Sequence, residues 1–355
     1  MVEPASDINA TVGHYLRDLA LAQLIPAKSF GYKRAASAIL SLERSLPELL
    51  VDGRLEKIPG IGPASARVIL ETLDLGVSPT VERAIDASGK RQEIERRRGL
   101  RTHVSSRAMV LHVLNNPALE GVALADVHAD LQMHSEWSDG NFSLAELLEA
   151  CTARGYRFAA VTDHSHGLPI AGGMSMDAAA AQRAELRRVN AESSGACALF
   201  RGVEANIPAD GTLVDQTERM LRAVRNPAVR ILAHPRGRMT GTRAGVVADW
   251  DQVFSAAAER GVAIEIDGDP SRQDLDFEMA RRALDHRVIF AVDSDAHSVA
   301  QLAYAETAVA HARLAGIPAD RVVNCWLLER FKAWLEDPRR EVRKALRLPS
   351  GESAP

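Results

Sequence analysis

From about residue 122 onward the chain alternates short apolar runs with amphipathic stretches. Arg157–Thr162, Phe200–Ala205, Val229–Ala233, Val262–Ile266 and Val288–Val292 read as strands. Leu144–Arg154, Ala178–Ala191, Gln216–Val224, Trp250–Arg260 and Phe277–Asp285 read as helices between them. Strand, helix, strand at this pace requires a parallel sheet with helical crossovers on its faces. Pattern alone allows either a doubly wound sheet or a closed barrel. In both, the carboxyl ends of the strands converge on one side, where sites are built.

Each strand-like run ends in residues able to hold a metal: Asp163-His164, Glu204, His234, Glu265 with Asp267, and Asp293, Asp295 and His297. The segment Asp130 to Gly140 adds His134 and Asp139 ahead of them. A single histidine at a strand end is more often a surface residue, and an aspartate there is ordinary turn or helix-cap chemistry. Recurrence from one strand to the next outweighs both bland explanations. Imidazole with carboxylate suits zinc, manganese or iron. Asp126, His128, Asp130, Gln132 and His134 share one face of an extended segment. His128 is about 20 Å from His134 along such a strand, so His134, nearer the strand end, is the expected ligand.

The first third of the chain has a different grammar. Ile8–Ala22, Phe30–Leu40 and Ser65–Leu73 repeat apolar residues at helical spacing. Lys57-Ile-Pro-Gly60-Ile-Gly62-Pro-Ala-Ser-Ala-Arg67 matches a helix-hairpin-helix, in which Gly60 and Gly62 permit a tight turn. Amides at the second helix's N-terminus then accept a DNA phosphate without reading sequence. Lys33 and Arg34 are further candidate phosphate contacts. Net charge is −4, so nucleic-acid binding has to be local. Cys151, Cys197 and Cys325 lack CxxC spacing, and no apolar run reaches the roughly 18 residues of a membrane span. With no secretory signal at the start, the expectation is a cytoplasmic protein without a membrane partner. The expected division is a helical domain over 1–76, a linker with the charged helix around Lys90–Arg98 over 77–121, and an α/β domain over 122–345.

Asp130-Leu-Gln-Met-His134 with Trp137-Ser-Asp139-Gly140, Val161-Thr-Asp-His164, Gly202-Val-Glu204, Leu232-Ala-His234-Pro-Arg-Gly-Arg238 and Asp293-Ser-Asp295-Ala-His297 resemble, in order, the motifs of the PHP phosphoesterases. They are especially similar to the C-terminal domain of bacterial family X DNA polymerases, and Phe30 to Ile39 resembles the small N-terminal domain of that family. The resemblance implies a distorted (β/α)7 barrel of the TIM type, a multi-metal centre, and hydrolysis of phosphomonoesters or phosphodiesters. It implies His134, Asp139, His164, Glu204, His234, Asp295 and His297 as ligands of one to three divalent ions, manganese, zinc or iron. Glu204 would bridge ions, Asp163 or His166 would orient a ligand or move a proton, and Arg236, Arg238 and Arg272 would hold substrate phosphate.

Two departures weaken that set. Gln132 stands where the family has a histidine, and between Leu213 and Gln216 the chain lacks a strand that normally supplies another. Val68 stands where the family's lyase has its lysine, so lyase activity is not expected. The stretch 77–121 is too short for a polymerase palm. The expected function is a metal-dependent phosphoesterase, a 3′-5′ exonuclease or phosphatase at DNA ends in repair, with no polymerase activity. The alternatives are a metal-poor scaffold that binds DNA without catalysis, and a small-molecule phosphatase of the histidinol-phosphatase type.

Overall fold

The computed structural model describes residues 7–166, 171–193, 195–207 and 211–339. The outermost residues of the expected 1–76 and 122–345 divisions therefore lie outside the described residues. The chain forms two compact units, one of Met1–Pro117 with Met239–Ala244 and one of Ala118–Arg238 with Gly245–Pro355.

Up to Pro117 the described residues of the first unit are built of helices: α1 (Ile8–Ala22), α2 (Pro26–Leu40), α3 (Leu46–Val51), α4 (Pro63–Leu75), α5 (Pro79–Ser88), α6 (Arg91–Leu100) and α7 (Arg107–Asn115). Its core joins Leu16, Ile39, Leu46, Val68 and Ile69 to Val81, Ile85 and Ile94. Residues 77–100, expected as part of a connection, thus supply core. Ser78 caps α5 by accepting from the Val81 amide, and Gly89 ends it at φ +68°. Val81 and Ile85, one turn apart, put a narrow apolar stripe on a polar helix. The charge run on α6 is consumed internally: Arg91 pairs with Glu82 and Asp86, Arg96 and Arg97 with Glu93, and Arg98 with Asp18 and Glu82.

The second unit holds two three-stranded parallel sheets, in the orders β1-β2-β3 and β4-β5-β6. The strands are β1 (Ala129–Asp130), β2 (Phe158–Val161), β3 (Ala198–Arg201), β4 (Ile231–Leu232), β5 (Ala263–Asp267) and β6 (Ile289–Asp293). Between and after them run α8 (Leu144–Ala153), α9 (Met176–Glu192), α10 (Leu213–Arg225), α11 (Trp250–Arg260), α12 (Phe277–Asp285), α13 (Ala305–Leu314) and α14 (Leu328–Glu336). The alternation places this unit in the α/β class.

The sheets adjoin where β1 passes β6. Met133 bridges Ala296, and the His134 amide donates to the Ala296 carbonyl at 2.9 Å. Asn324 locks the same edge, donating through Nδ2 to the Ala129 and Val292 carbonyls and to Asp293 Oδ1. The wall therefore reads β3-β2-β1, then β6-β5-β4. Among the described residues no backbone hydrogen bonding joins β3 to β4, so the expected closed (β/α)7 barrel is not formed. The break falls where the resemblance implies a further strand: the helix that follows β3 is α10, whose capping box on Thr212 and Asp215 starts it at Leu213. Strand ends are also shorter than expected, and Glu204 lies beyond the end of β3 rather than within it.

The starts of the strands are plugged by an aromatic cluster. Ala129, Phe158, Ala263 and Ile289 pack with Trp326, Phe331 and Trp334. That leaves the opposite, carboxyl ends for polar side chains.

Candidate metal centre

His134 lies fully buried just past β1, at the junction of the two sheets. Its Nε2 is 3.2 Å from both Glu204 Oε2 and Asp295 Oδ1, and its Nδ1 is 3.6 Å from Asp139 Oδ1. The ring is stacked between His164 and His297, with centroid separations of 4.6 and 4.4 Å. Asp139 also faces His164 Nε2 at 3.6 Å and His297 Nε2 at 3.5 Å. Two donor groups emerge, sharing His134: one with Asp139, His164 and His297, the other with Glu204 and Asp295. His234 adjoins the second group, its Nε2 2.9 Å from Glu204 Oε1. The seven residues singled out from sequence as ligands are thereby brought to one place.

Local backbone explains how. Gly140 packs so tightly on the preceding turn that a Cβ there would lie 2.0 Å from the His134 carbonyl oxygen. Only glycine lets the Asp139 loop fold back over His134. Asp295 and His234 adopt φ of +51° and +25°. Left-handed backbone costs a non-glycine residue about 1–3 kcal/mol, and such strain collects at functional sites.

Several observations fit these residues to divalent ions. Both ring nitrogens of His134 and Nδ1 of His164 are buried and make no hydrogen bond, although carboxylate oxygens surround them. His297 Nδ1 lies 2.8 Å from the Asp295 carbonyl. A carbonyl only accepts, so Nδ1 carries the proton and the Nε2 lone pair is left facing Asp139. Metal-binding histidines are commonly oriented by such a bond. Gln132 donates through Nε2 to Glu204 Oε2 at 2.8 Å.

The electrostatics follow from crowding. Burial alone would lower the His134 pKa, but the Asp295 and Glu204 carboxylates beside its Nε2 outweigh it and push the pKa up to about 10. Burial alone would raise the Glu204 pKa, but the adjacent His134 and His234 imidazoles drive it well below the usual carboxylate range. His164, by contrast, is lowered by burial. Without an ion, His134 is therefore protonated at neutral pH. A ligand imidazole must be neutral, so ion binding expels that proton. Zinc titration at pH 7.5, followed calorimetrically in buffers of different ionisation heat, is expected to show release of about one proton or more per chain. A heat that does not vary with buffer would contradict this.

Other expected site residues take different posts. Asp163 is fully buried and saturated: Oδ1 accepts from the Ser135 amide and Ser138 hydroxyl, Oδ2 from the Ser135 hydroxyl and Gln182 Nε2. All four acceptor positions are filled, so it pins the loop carrying Asp139 rather than moving a proton. His166 is exposed and belongs to neither donor group. Arg238, expected to hold phosphate, is buried and spent on Asp276 and on the Arg272 and Gln273 carbonyls. Arg236 pairs with the same Asp276 at 2.9 Å. Arg272 does reach the site, its Nε 3.4 Å from Asp295 Oδ2 and 3.6 Å from Asp267 Oδ2. His128 is outside both donor groups. Glu265 turns into the wall, accepting from the His234 amide, and burial raises its pKa well above normal. Sequence reading missed Asn324 and the donor role of the Gln132 amide.

In the first unit, α3 and α4 are joined by a turn in which Gly60 adopts φ +85°, and Gly62 precedes α4. Lys33 and Arg34 are exposed on α2. Val68 is fully buried in the helical core. No helix among the described residues is long and apolar enough to cross a membrane.

No protein-family model matches the chain. It is similar to the DNA polymerase/3′-5′ exonuclease PolX of Bacillus subtilis (strain 168), with 34% identity over 244 residues. The match takes in 62% of this chain and 43% of that protein, so the chain spans less than half of its relative's length.

Proposed function

We propose that this chain is a divalent-metal-dependent phosphoesterase acting on DNA ends, as a 3′-5′ exonuclease or a terminal phosphatase, and that it does not polymerise. The observation that carries this is the convergence of His134, Asp139, His164, Glu204, Asp295 and His297 into two donor groups sharing one buried imidazole. The similarity to a protein named for 3′-5′ exonuclease activity supports DNA ends as the substrate class.

Divalent ions bound by these residues would supply Lewis-acid polarisation of phosphate oxygens and activation of water at neutral pH. His134, Glu204 and Asp295 would hold one ion through His134 Nε2, and Asp139, His164 and His297 would hold another. His234 extends the set through Glu204. Asp163 keeps the Asp139 loop in register. Arg272, the cation nearest the cluster, offers forked donors to a substrate phosphate. Gly60, Gly62, Lys33 and Arg34 hold the DNA backbone without reading sequence, and the work belongs to DNA repair. Manganese, zinc and iron all suit this donor chemistry.

The test is metal content per chain, measured on protein purified without chelator, alongside hydrolysis of end-labelled single-stranded and nicked DNA. Bound metal with chelator-sensitive shortening of the DNA, restored by manganese, is the expected result. Metal-loaded, folded protein that binds DNA but leaves it intact would point to a non-catalytic scaffold. Turnover of small phosphomonoesters alone would point to a small-molecule phosphatase.

A further inference from the structure

Most cations of the first unit's α6 are committed to acids, as described above, but those of α2 are not. Lys33 and Arg34 make no ion pair or hydrogen bond among the described residues. They share the solvent side of α2 with Phe30, whose side chain is 66% exposed. At 3.6 residues per turn, Phe30, Lys33, Arg34 and Ser37 lie opposite the buried Ala35, Ala36 and Ile39. Tyr32, two residues on, packs against the core, so nothing in the core requires an aromatic at Phe30. The strip continues onto the α3–α4 turn: a Cβ on Gly60 would sit 3.4 Å from Arg34 Nε.

We infer that this strip is a stacking platform for an unpaired nucleobase at a DNA end. The inference rests on the DNA reading above and narrows it to ends that carry a single-stranded tail. A flat apolar ring flanked at i+3 and i+4 by unpaired cations matches a base with phosphates on either side. An intact duplex keeps its base faces stacked inside and offers the ring nothing. A single-stranded tail offers a base face and backbone charge together, while the Gly60 turn and the start of α4 lie next along the strip for the following phosphate.

The experiment uses the full chain in chelator, so that binding is read without hydrolysis. Affinity is measured by fluorescence anisotropy for a duplex with a 3′ single-stranded tail and for its blunt counterpart. A 2-aminopurine placed in the tail reports stacking. Phe30→Ala is expected to weaken tailed-duplex binding about tenfold and to abolish the 2-aminopurine quench, with blunt-duplex binding unchanged. Phe30→Trp is expected to preserve both signals. Unchanged binding of the tailed duplex by Phe30→Ala, or equal loss on both duplexes, would overturn the platform while leaving the DNA reading in place. A parent chain that binds neither duplex would overturn both.

Discussion

Glu204→Gln is expected to abolish metal-dependent hydrolysis and to lower metal affinity by more than the 10–100-fold typical of residues that merely orient ligands. One oxygen of Glu204 meets His134 and His164, and the other meets His234. The amide keeps the shape and loses the charge. The same change tests the metal-free state, where Glu204 faces a protonated His134. Breaking such a buried pair from one side costs about 3–5 kcal/mol. The sign with pH follows from both partners. Glu204, depressed, stabilises fully above its unfolded pKa and less as pH falls through its folded value. His134, raised to about 10, stabilises fully below its unfolded pKa and loses that contribution as pH rises toward 10. Urea denaturation of chelated protein should therefore show the largest deficit between about pH 4.5 and 6.5, shrinking toward pH 10. A deficit that grows from pH 7 to 10 would refute the pairing.

Asp163→Ala is expected to cost on the order of 3 kcal/mol, because each buried donor left without an acceptor costs about 1–3 kcal/mol and Asp163 serves several. Ser135 and Ser138 would lose the anchor that fixes the Asp139 loop, so metal affinity should fall about 10–100-fold. Asp163→Asn, which retains one acceptor oxygen, should recover part of both losses. Calorimetry of the three proteins with zinc separates a positioning role from general destabilisation. Unchanged affinity in a less stable Asp163→Ala would remove the positioning role.

How much of this was legible in the sequence depended on what kind of signal each residue leaves. Strand-terminal histidines and carboxylates are visible because parallel topology dictates where strand ends go, and the structure gathers them at His134. Helix existence was legible from periodicity. The stretch around α5 falls in the expected 77–121 linker, and its narrow stripe of Val81 and Ile85 is buried only by what other helices place beside it. Arg238 was misread for a similar reason. An arginine after a ligand histidine looks like a phosphate contact, and only the return of the chain at Gln273 and Asp276 occupies it. Asn324 left no local signal at all, since its value lies in tying β6 to β1, whose Ala129 is 195 residues away from it. The short segment before α10 was legible as a missing strand, and the failure of β3 and β4 to meet is its structural outcome.

That failure has a cost the wall must manage. A closed barrel presents no open margin, whereas this one has two, along β3 and β4, each able to template pairing with another polypeptide. The chain limits the hazard by brevity, since β3 runs only Ala198–Arg201 and β4 only Ile231–Leu232. Across the gap Glu204 meets His234, so a carboxylate of the candidate metal centre also serves as a clasp. Loss of the clasp would expose backbone to exchange along both margins at once, and self-association would then begin beside the site rather than at the protein's periphery.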